Sequence, residues 1–267
     1  MDNPTVNKNR QMDKILSIQS LQIMATNNQN FDYLRFLNNK NIRFFNYITH
    51  INNLKSILKK GIYSRNKITE LNISFYRIDY ERVQSTRVRN IKKRYGFHIH
   101  DYVPIYFSTH TPMLYVICNP KNGKKFEGLS PDGKVISVDK KDIAILKIER
   151  KILMENGVKF SNKNCACNDV ELYFDVVDLP KLNWLDICRK KPPIPKYCPK
   201  SKREYIIRMW KSNKAAEILV PEIVFPKYIV KIVVANKAIK NNITKRINAN
   251  PSKIFVDEEE FSWGLTQ

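Results

Sequence analysis

In the stretch Lys214-Ala215-Ala216-Glu217-Ile218-Leu219-Val220-Pro221 one carboxylate stands among small and aliphatic residues, directly after a strongly basic segment. Ile218 and Val220 alternating against Leu219 predict a short buried strand with Glu217 at or near its start. A carboxylate held there is partly desolvated, which is costly unless it has a partner or a task. These residues leave two readings side by side: a surface glutamate paired with Lys211 or Lys214, or a carboxylate tuned by burial for catalysis. His50 follows Thr49 where a helix is predicted to begin, and backbone amides there can receive an anion or a polar ligand; a structural histidine is the alternative. Between residues 77 and 100, Arg77, Arg82, Arg87, Arg89, Lys92, Lys93 and Arg94 interleave with Tyr80 and Tyr95, with Tyr76 just before and Phe97 just after. Rings among cations suit a single-stranded nucleic acid, where bases stack and phosphates pair; a solvated face is the alternative. Five cysteines, Cys118, Cys165, Cys167, Cys188 and Cys198, lack the paired C-x2-C units of common zinc sites, so free thiols in a reducing cytoplasm are expected and no metal is.

The elements that must position these groups are legible in outline. Arg43–Ile48 reads as a strand, Thr49 as a helix N-cap, and Ile51, Leu54, Ile57 and Leu58 as one face of a helix closed by Lys59, Lys60 and Gly61. Val103–Phe107 reads as a strand whose Pro104 places it at a sheet edge or among its first residues, and Thr111-Pro112 as the cap and first turn of a helix from Met113. Strands are expected at 134–138, 143–148, 158–160, 228–235 and 253–256. Helices are expected near 15–24, 31–37, 150–156, 183–189 and 238–247, and from a capping box at Ser201–Glu204 through Lys211. With 267 residues, 43% of them hydrophobic, the chain can bury a sizeable core. A formal net charge of +22, from 47 Lys and Arg against 25 Asp and Glu, points to a polyanionic partner, nucleic acid first. No run approaches the ~18 apolar residues of a membrane span. No P-loop and no G-x-G-x-x-G occurs, which weighs against ATP hydrolysis and a dinucleotide-binding Rossmann domain.

Five motifs in order resemble the DarT family of DNA ADP-ribosyltransferase toxins. They are Ile48-Thr49-His50-Ile51-Asn52-Asn53-Leu54 with Gly61; Val83-Gln84 with Arg87; His100-Asp101-Tyr102-Val103-Pro104 with Tyr106-Phe107; Pro112-Met113-Leu114-Tyr115; and Ala216-Glu217 with Leu219-Val220. Tyr47 stands where many members have histidine, and Ser108-Thr109-His110-Thr111 where Pro-Arg-Ser is usual. The resemblance implies an α+β ADP-ribosyltransferase-like fold, two small packed β-sheets flanked by helices with an NAD-binding cleft, over residues 41–267 after an extension at 1–40. It implies NAD+ as co-substrate, transfer of ADP-ribose to thymidine or guanosine in single-stranded DNA, and toxin activity. RNA as acceptor and an inactive nucleic-acid-binding module are the alternatives. By analogy Glu217 and Arg87 are catalytic, and Tyr47, Thr49, His50, Asn53, Gly61, Tyr106 and Met113 form the NAD+ pocket. Arg89, Lys92, Lys93, Arg94 and His110 are expected to meet nucleic acid. A cognate antitoxin, such as a macrodomain ADP-ribose hydrolase, is the expected protein partner. Breaking the nicotinamide–ribose bond builds an oxocarbenium-like sugar, which a nearby carboxylate stabilises.

Overall fold

The computed structural model describes residues 31–120, 124–247 and 250–262, so the helix expected at 15–24 lies outside the described residues. The chain runs α1 (Tyr33–Asn39), β1 (Phe45–His50), α2 (Leu54–Lys60), β2 (Ile62–Tyr63), α3 (Arg65–Glu70), α4 (Glu81–Tyr95) and β3 (Tyr102–Tyr106). It continues through α5 (Pro112–Cys118), β4 (Phe126–Leu129), β5 (Val135–Val138), β6 (Ile143–Ile148), β7 (Lys159–Ser161) and β8 (Leu172–Tyr173). It closes with α6 (Trp184–Cys188), α7 (Lys200–Lys214), β9 (Glu217–Pro221), β10 (Ile223–Val224), β11 (Ile229–Val234), α8 (Lys237–Ile247) and β12 (Ile254–Val256).

Eight strands hydrogen-bond in the order β12-β11-β6-β1-β3-β9-β7-β8. β1 pairs with β6 along its whole length, from Phe45–Ile148 to His50–Ile143, and β3 pairs with β9 along its whole length, from Tyr102–Pro221 to Tyr106–Glu217. Between β1 and β3 the only register pair is Asn46–Tyr106. The sheet is therefore two four-stranded halves joined at one register pair. That junction also explains Pro104, which lies inside the strand order rather than at its edge. Away from Tyr106, β3 has no ladder to β1, so the missing N–H of Pro104 costs no bond on that side.

β6 is buried at every residue and forms the spine of the core. Phe107 meets Phe45 and Trp184 edge-on, each at a centroid distance of 5.4 Å. Full burial of such a side chain contributes about 1.5–3 kcal/mol. Leu37 of α1 is fully buried in the same core. Thr111 caps α5 as read, its Oγ1 accepting from Leu114 N at 3.3 Å with Pro112 in the first turn. Gly61 ends α2 at φ +101°, and a Cβ there would stand 2.7 Å from Val224 O, so backbone conformation and close packing both require glycine.

Other local expectations are corrected. Thr49 belongs to β1 and caps nothing; His50 takes that role, its Nδ1 accepting from Asn52 N at 3.1 Å. The strand's pairing with β6 outcompetes the local cap. The Ser201–Glu204 capping box does not form: α7 already starts at Lys200, with Pro199 before it and no side-chain cap. The helix expected near 150–156 is a 3-10 segment over Arg150–Met154. The short strands β2, β4, β8 and β10 carry too few residues for periodicity to reveal them.

Candidate active site

Glu217 opens β9 and is fully buried, which removes the surface reading. Its backbone N donates to Ser161 Oγ at 2.9 Å, fixing the start of the strand against β7. Oε1 accepts from Cys165 N at 3.1 Å, and Oε2 accepts from the Arg87 guanidinium. Lys214, offered above as a partner, instead donates to the carbonyls of Ile187 and Arg189 at 3.0 and 2.8 Å. Arg87 lies on the buried stripe of α4 with Ile91 four residues on, and is 5% exposed. Its Nη1 donates to Gln84 Oε1 at 3.0 Å, while Nε has no hydrogen-bond partner among the described residues. Burial is the largest single influence on Arg87 and works against its charge, but Glu217, joined by smaller contributions from Cys165, Tyr106 and Asp79, raises the pKa overall, so the guanidinium stays ionised. Two buried charges are tolerated only when paired, so each holds the other in place.

In front of Arg87 lies a cavity of about 300 Å³ lined by Tyr47, Arg65, Gln84, His100 and Tyr102 among others. Glu217 sits one layer behind that wall, reached through Arg87. His100 Nε2 lies 3.3 Å from Gln84 Oε1, which thus gathers both His100 and Arg87. Burial, then the charges of Arg65, Arg87 and His98, bring the His100 pKa down to about 4, so the ring is neutral near pH 7. Tyr106 faces Glu217 across the β3–β9 ladder, and burial plus that carboxylate raise its pKa. Tyr47 is raised by burial and by Asp79. Both phenols therefore remain donors. At the rim Arg65 and Arg77 share Glu81, and those hydrogen bonds push its pKa down to about 2.

The other sequence candidates fall into three places. Thr49 and Asn53 are buried behind the cavity and tied together, Asn53 Nδ2 donating to Thr49 Oγ1 at 3.1 Å and to Tyr76 O at 2.9 Å. His50, 5% exposed, stacks on Tyr76 at 4.7 Å. Gly61 and Met113 do not line the cavity; Met113 packs against the main core. Arg89, Lys92, Lys93 and Arg94 lie exposed on the outer face of α4, with Arg94 Nη1 donating to Asn168 O at 3.1 Å. The rings expected between these cations mostly turn inward: Tyr76 onto His50, and Tyr95 and Phe97 into a small core. Apolar burial outweighs the stacking pattern there; Tyr80 is 47% exposed. His110 lies elsewhere, lining a second cavity with its Nε2 3.4 Å from Glu259 O. Sequence reasoning assigned no role to Gln84, His100, Ser161 or the Cys165 amide. Gln84 and His100 had a usable signal, Gln84 standing one helical turn before Arg87 and His100 opening the motif that runs into β3. Among the described residues no group of three or more His, Cys, Asp or Glu is placed to hold a metal, and no helix is long and apolar enough to cross a membrane.

Comparison with known proteins bears on the whole of this arrangement. A curated DNA ADP-ribosyl transferase–DNA ADP-ribosyl glycohydrolase fusion protein of Thermosipho africanus is 25% identical over 221 residues, which are 80% of this chain and 48% of that protein. The chain thus spans about half the length of that relative. A DNA ADP-ribosyl transferase of Thermus aquaticus is 38% identical over 74 residues, 27% of this chain and 32% of that protein. The solved structure of Thermus sp. 2.9 DarT in complex with ADP-ribosylated ssDNA matches with a TM-score of 0.61 at 21% identity, over 83% of this chain and 97% of that chain. At that identity the likeness establishes the α+β fold. A family model described as ssDNA thymidine ADP-ribosyltransferase, DarT, matches residues 46–262. That match runs from Asn46 in β1 past Val256 in β12 and takes in Arg87, Glu217 and the cavity before them, so the chain belongs to the DarT family.

Proposed function

We propose that the protein transfers ADP-ribose from NAD+ to a base of single-stranded DNA, with thymidine or guanosine as acceptor. The observation that carries this is the state of two arginines on the cavity wall. Arg87 Nε and Arg65 Nη1 are buried N–H groups with no hydrogen-bond partner among the described residues, Nη1 having only a long ion pair to Asp79 at 3.8 Å. A buried donor left unmade costs about 1–3 kcal/mol, and the diphosphate of NAD+ is a ligand that would satisfy both. Tyr47, Tyr102 and the neutral His100 supply rings and donors for the nicotinamide–ribose end. The family to which the chain belongs and the Thermus sp. 2.9 DarT structures in complex with NAD+ and with ADP-ribosylated ssDNA support the reading.

In this mechanism nicotinamide leaves with the electron pair of its glycosidic bond, and the ribose carbon takes on oxocarbenium character. Glu217, positioned by Arg87 and the Cys165 amide, stabilises that charge as a carboxylate. A base nitrogen bonds to the sugar carbon and gives up one proton, for which the same carboxylate is the acceptor. An unstacked base reaches the sugar more cheaply than a paired one, which favours a single strand. Residues 41–267 form the transferase unit, with the described part of the 1–40 extension docked on it through Leu37. The activity is toxic to a cell that lacks an ADP-ribose-removing antitoxin; the Thermosipho relative is named as a fusion of transferase and glycohydrolase. The cytoplasm, where NAD+ and DNA meet, is the proposed compartment.

The test is mass spectrometry of single- and double-stranded DNA and RNA oligonucleotides after incubation with NAD+. A gain of one ADP-ribose on single-stranded DNA, absent with Glu217→Ala, is expected, and fragmentation names the base. A gain on RNA alone moves the target; no gain on any strand overturns the reading.

A further inference from the structure

Asn46 and Tyr47 are successive residues of β1 and point to opposite faces. Tyr47 lines the cavity before Arg87; Asn46 lines a larger one, of about 600 Å³, on the back of the sheet. The register puts Lys147 opposite Asn46 and Lys231 opposite Lys147, so a polar row crosses three strands on that face. Lys147 is 7% exposed, and its Nζ donates to Asn46 Oδ1 at 2.9 Å, to Thr109 Oγ1 at 3.2 Å and to the Glu260 carboxylate. Further out, Lys40, Arg43 and Lys231 line the same cavity, and none of the three has a carboxylate partner among the described residues. The Lys231 ammonium lies between two rings, 5.0 Å from the centroid of Phe44 and 4.9 Å from that of Phe255. Phe255 is 40% exposed.

An acidic segment of the chain rests against this face. Glu258 pairs with Lys140 at 3.5 Å, Glu259 with Lys190 at 3.6 Å and Glu260 with Lys147, so three successive carboxylates meet three lysines. Successive carboxylates set against lysines occupy ground that the phosphates of a nucleic-acid backbone would also favour. The cations left over, with the exposed Phe255 ring beside them, are the parts from which a single-strand groove is built.

We propose that the cavity behind β1 is a second docking site for single-stranded nucleic acid, separate from the reaction cavity, with residues 257–260 as its built-in competitor. Phosphates pair with Lys40, Arg43 and Lys231, and a base stacks on Phe255. A strand held there is anchored on the face away from the chemistry, so the site governs affinity for long strands and leaves the reacting base to the front cavity.

The experiment is fluorescence anisotropy of the full chain with a labelled single-stranded oligonucleotide, across a range of salt and without NAD+. Transfer plays no part in this readout, so the site and the transferase reading stand or fall separately. Arg43→Ala/Lys231→Ala is expected to weaken binding roughly tenfold and to lower the salt slope by about 1.4, about 0.7 for each phosphate that is no longer neutralised. Lys40→Ala/Arg43→Ala, at two residues outside the strands, is expected to do the same and controls for misfolding of the first variant. Glu258→Gln/Glu259→Gln is expected to tighten binding about threefold. Unchanged affinity and slope in both cationic variants, with circular dichroism intact, overturns the site; unchanged or weaker binding by the glutamine variant overturns the competitor. Tighter binding of a peptide with the sequence of residues 256–261 than of the oligonucleotide overturns the nucleic-acid assignment in favour of an acidic protein.

Discussion

Arg87–Glu217 on the front of the sheet and Lys147–Glu260 on its back are both ion pairs whose cation is less than a tenth exposed. They differ in what is left over. At the back every donor of the ammonium is engaged, by Asn46, Thr109 and Glu260, and the carboxylate keeps 22% of its side-chain surface in water. At the front the carboxylate is wholly buried and the guanidinium retains an unmade N–H beside a cavity. The electrostatics run in opposite directions. Burial lowers the pKa of Lys147 more than Glu260 and its neighbours restore it, whereas at Arg87 Glu217 and the weaker contributions beside it together overcome burial. A pair with all its bonds made holds structure together; a pair with one bond missing is waiting for a ligand to complete it.

The comparison breaks most sharply at Glu217. Glu217→Gln keeps the size of the side chain and its contact with the Cys165 amide while removing the charge. It is expected to lower the transfer rate about 10²- to 10⁴-fold, read as product formation under saturating NAD+. Full activity in a folded Glu217→Gln protein would show the front pair to be structural.

Lys147→Met is expected to act on stability instead. Breaking a buried pair costs about 3–5 kcal/mol, and the water access of Glu260 reduces this to about 1–3 kcal/mol. Denaturant unfolding would report the loss, and Lys147→Met/Glu260→Gln should recover part of it. Transfer per folded molecule is expected to be unchanged; its collapse would mean that the two faces work as one unit.

The smallest expected effect concerns His100. Its folded pKa of about 4 lies below the ordinary value of 6.5, so between those pH values the unfolded chain binds the extra proton and the folded chain does not. Its contribution to stability is therefore whole above pH 6.5 and falls as the pH drops towards 4. His50 and His110 are also lowered by burial and add to the same slope. His100→Asn should flatten the dependence of Tm on pH in that window. An unaltered slope would remove His100 from the wall that Gln84 organises around Arg87.

Much of this was legible in the residues themselves. Ile218, Leu219 and Val220 made Glu217 the start of a buried strand, Thr111-Pro112 set the start of α5, and Gly61 marked the end of α2. Each is a local matter of side-chain shape, backbone freedom or period, and each appears where it was read. The order of the motifs along the chain carried the family. What local pattern could not supply was which groups meet. Arg87 and Glu217 are 130 residues apart; the family motif at Val83-Gln84 names Arg87, but no local pattern of polarity or period distinguishes the arginine that goes inward from Arg89 and Arg94, which stay out. Lys147 sits in a strand that reads as core throughout, and only the register with Asn46 and the approach of Glu260 make a charge tenable there. Thr49 had the composition of a cap and became a strand residue because pairing with β6 offered its backbone more than a cap could. Short-range preferences are worth tenths of a kcal/mol to about one. The burial of a charge, and the partner it then requires, is worth several, and that larger energy is settled only when distant segments pack together.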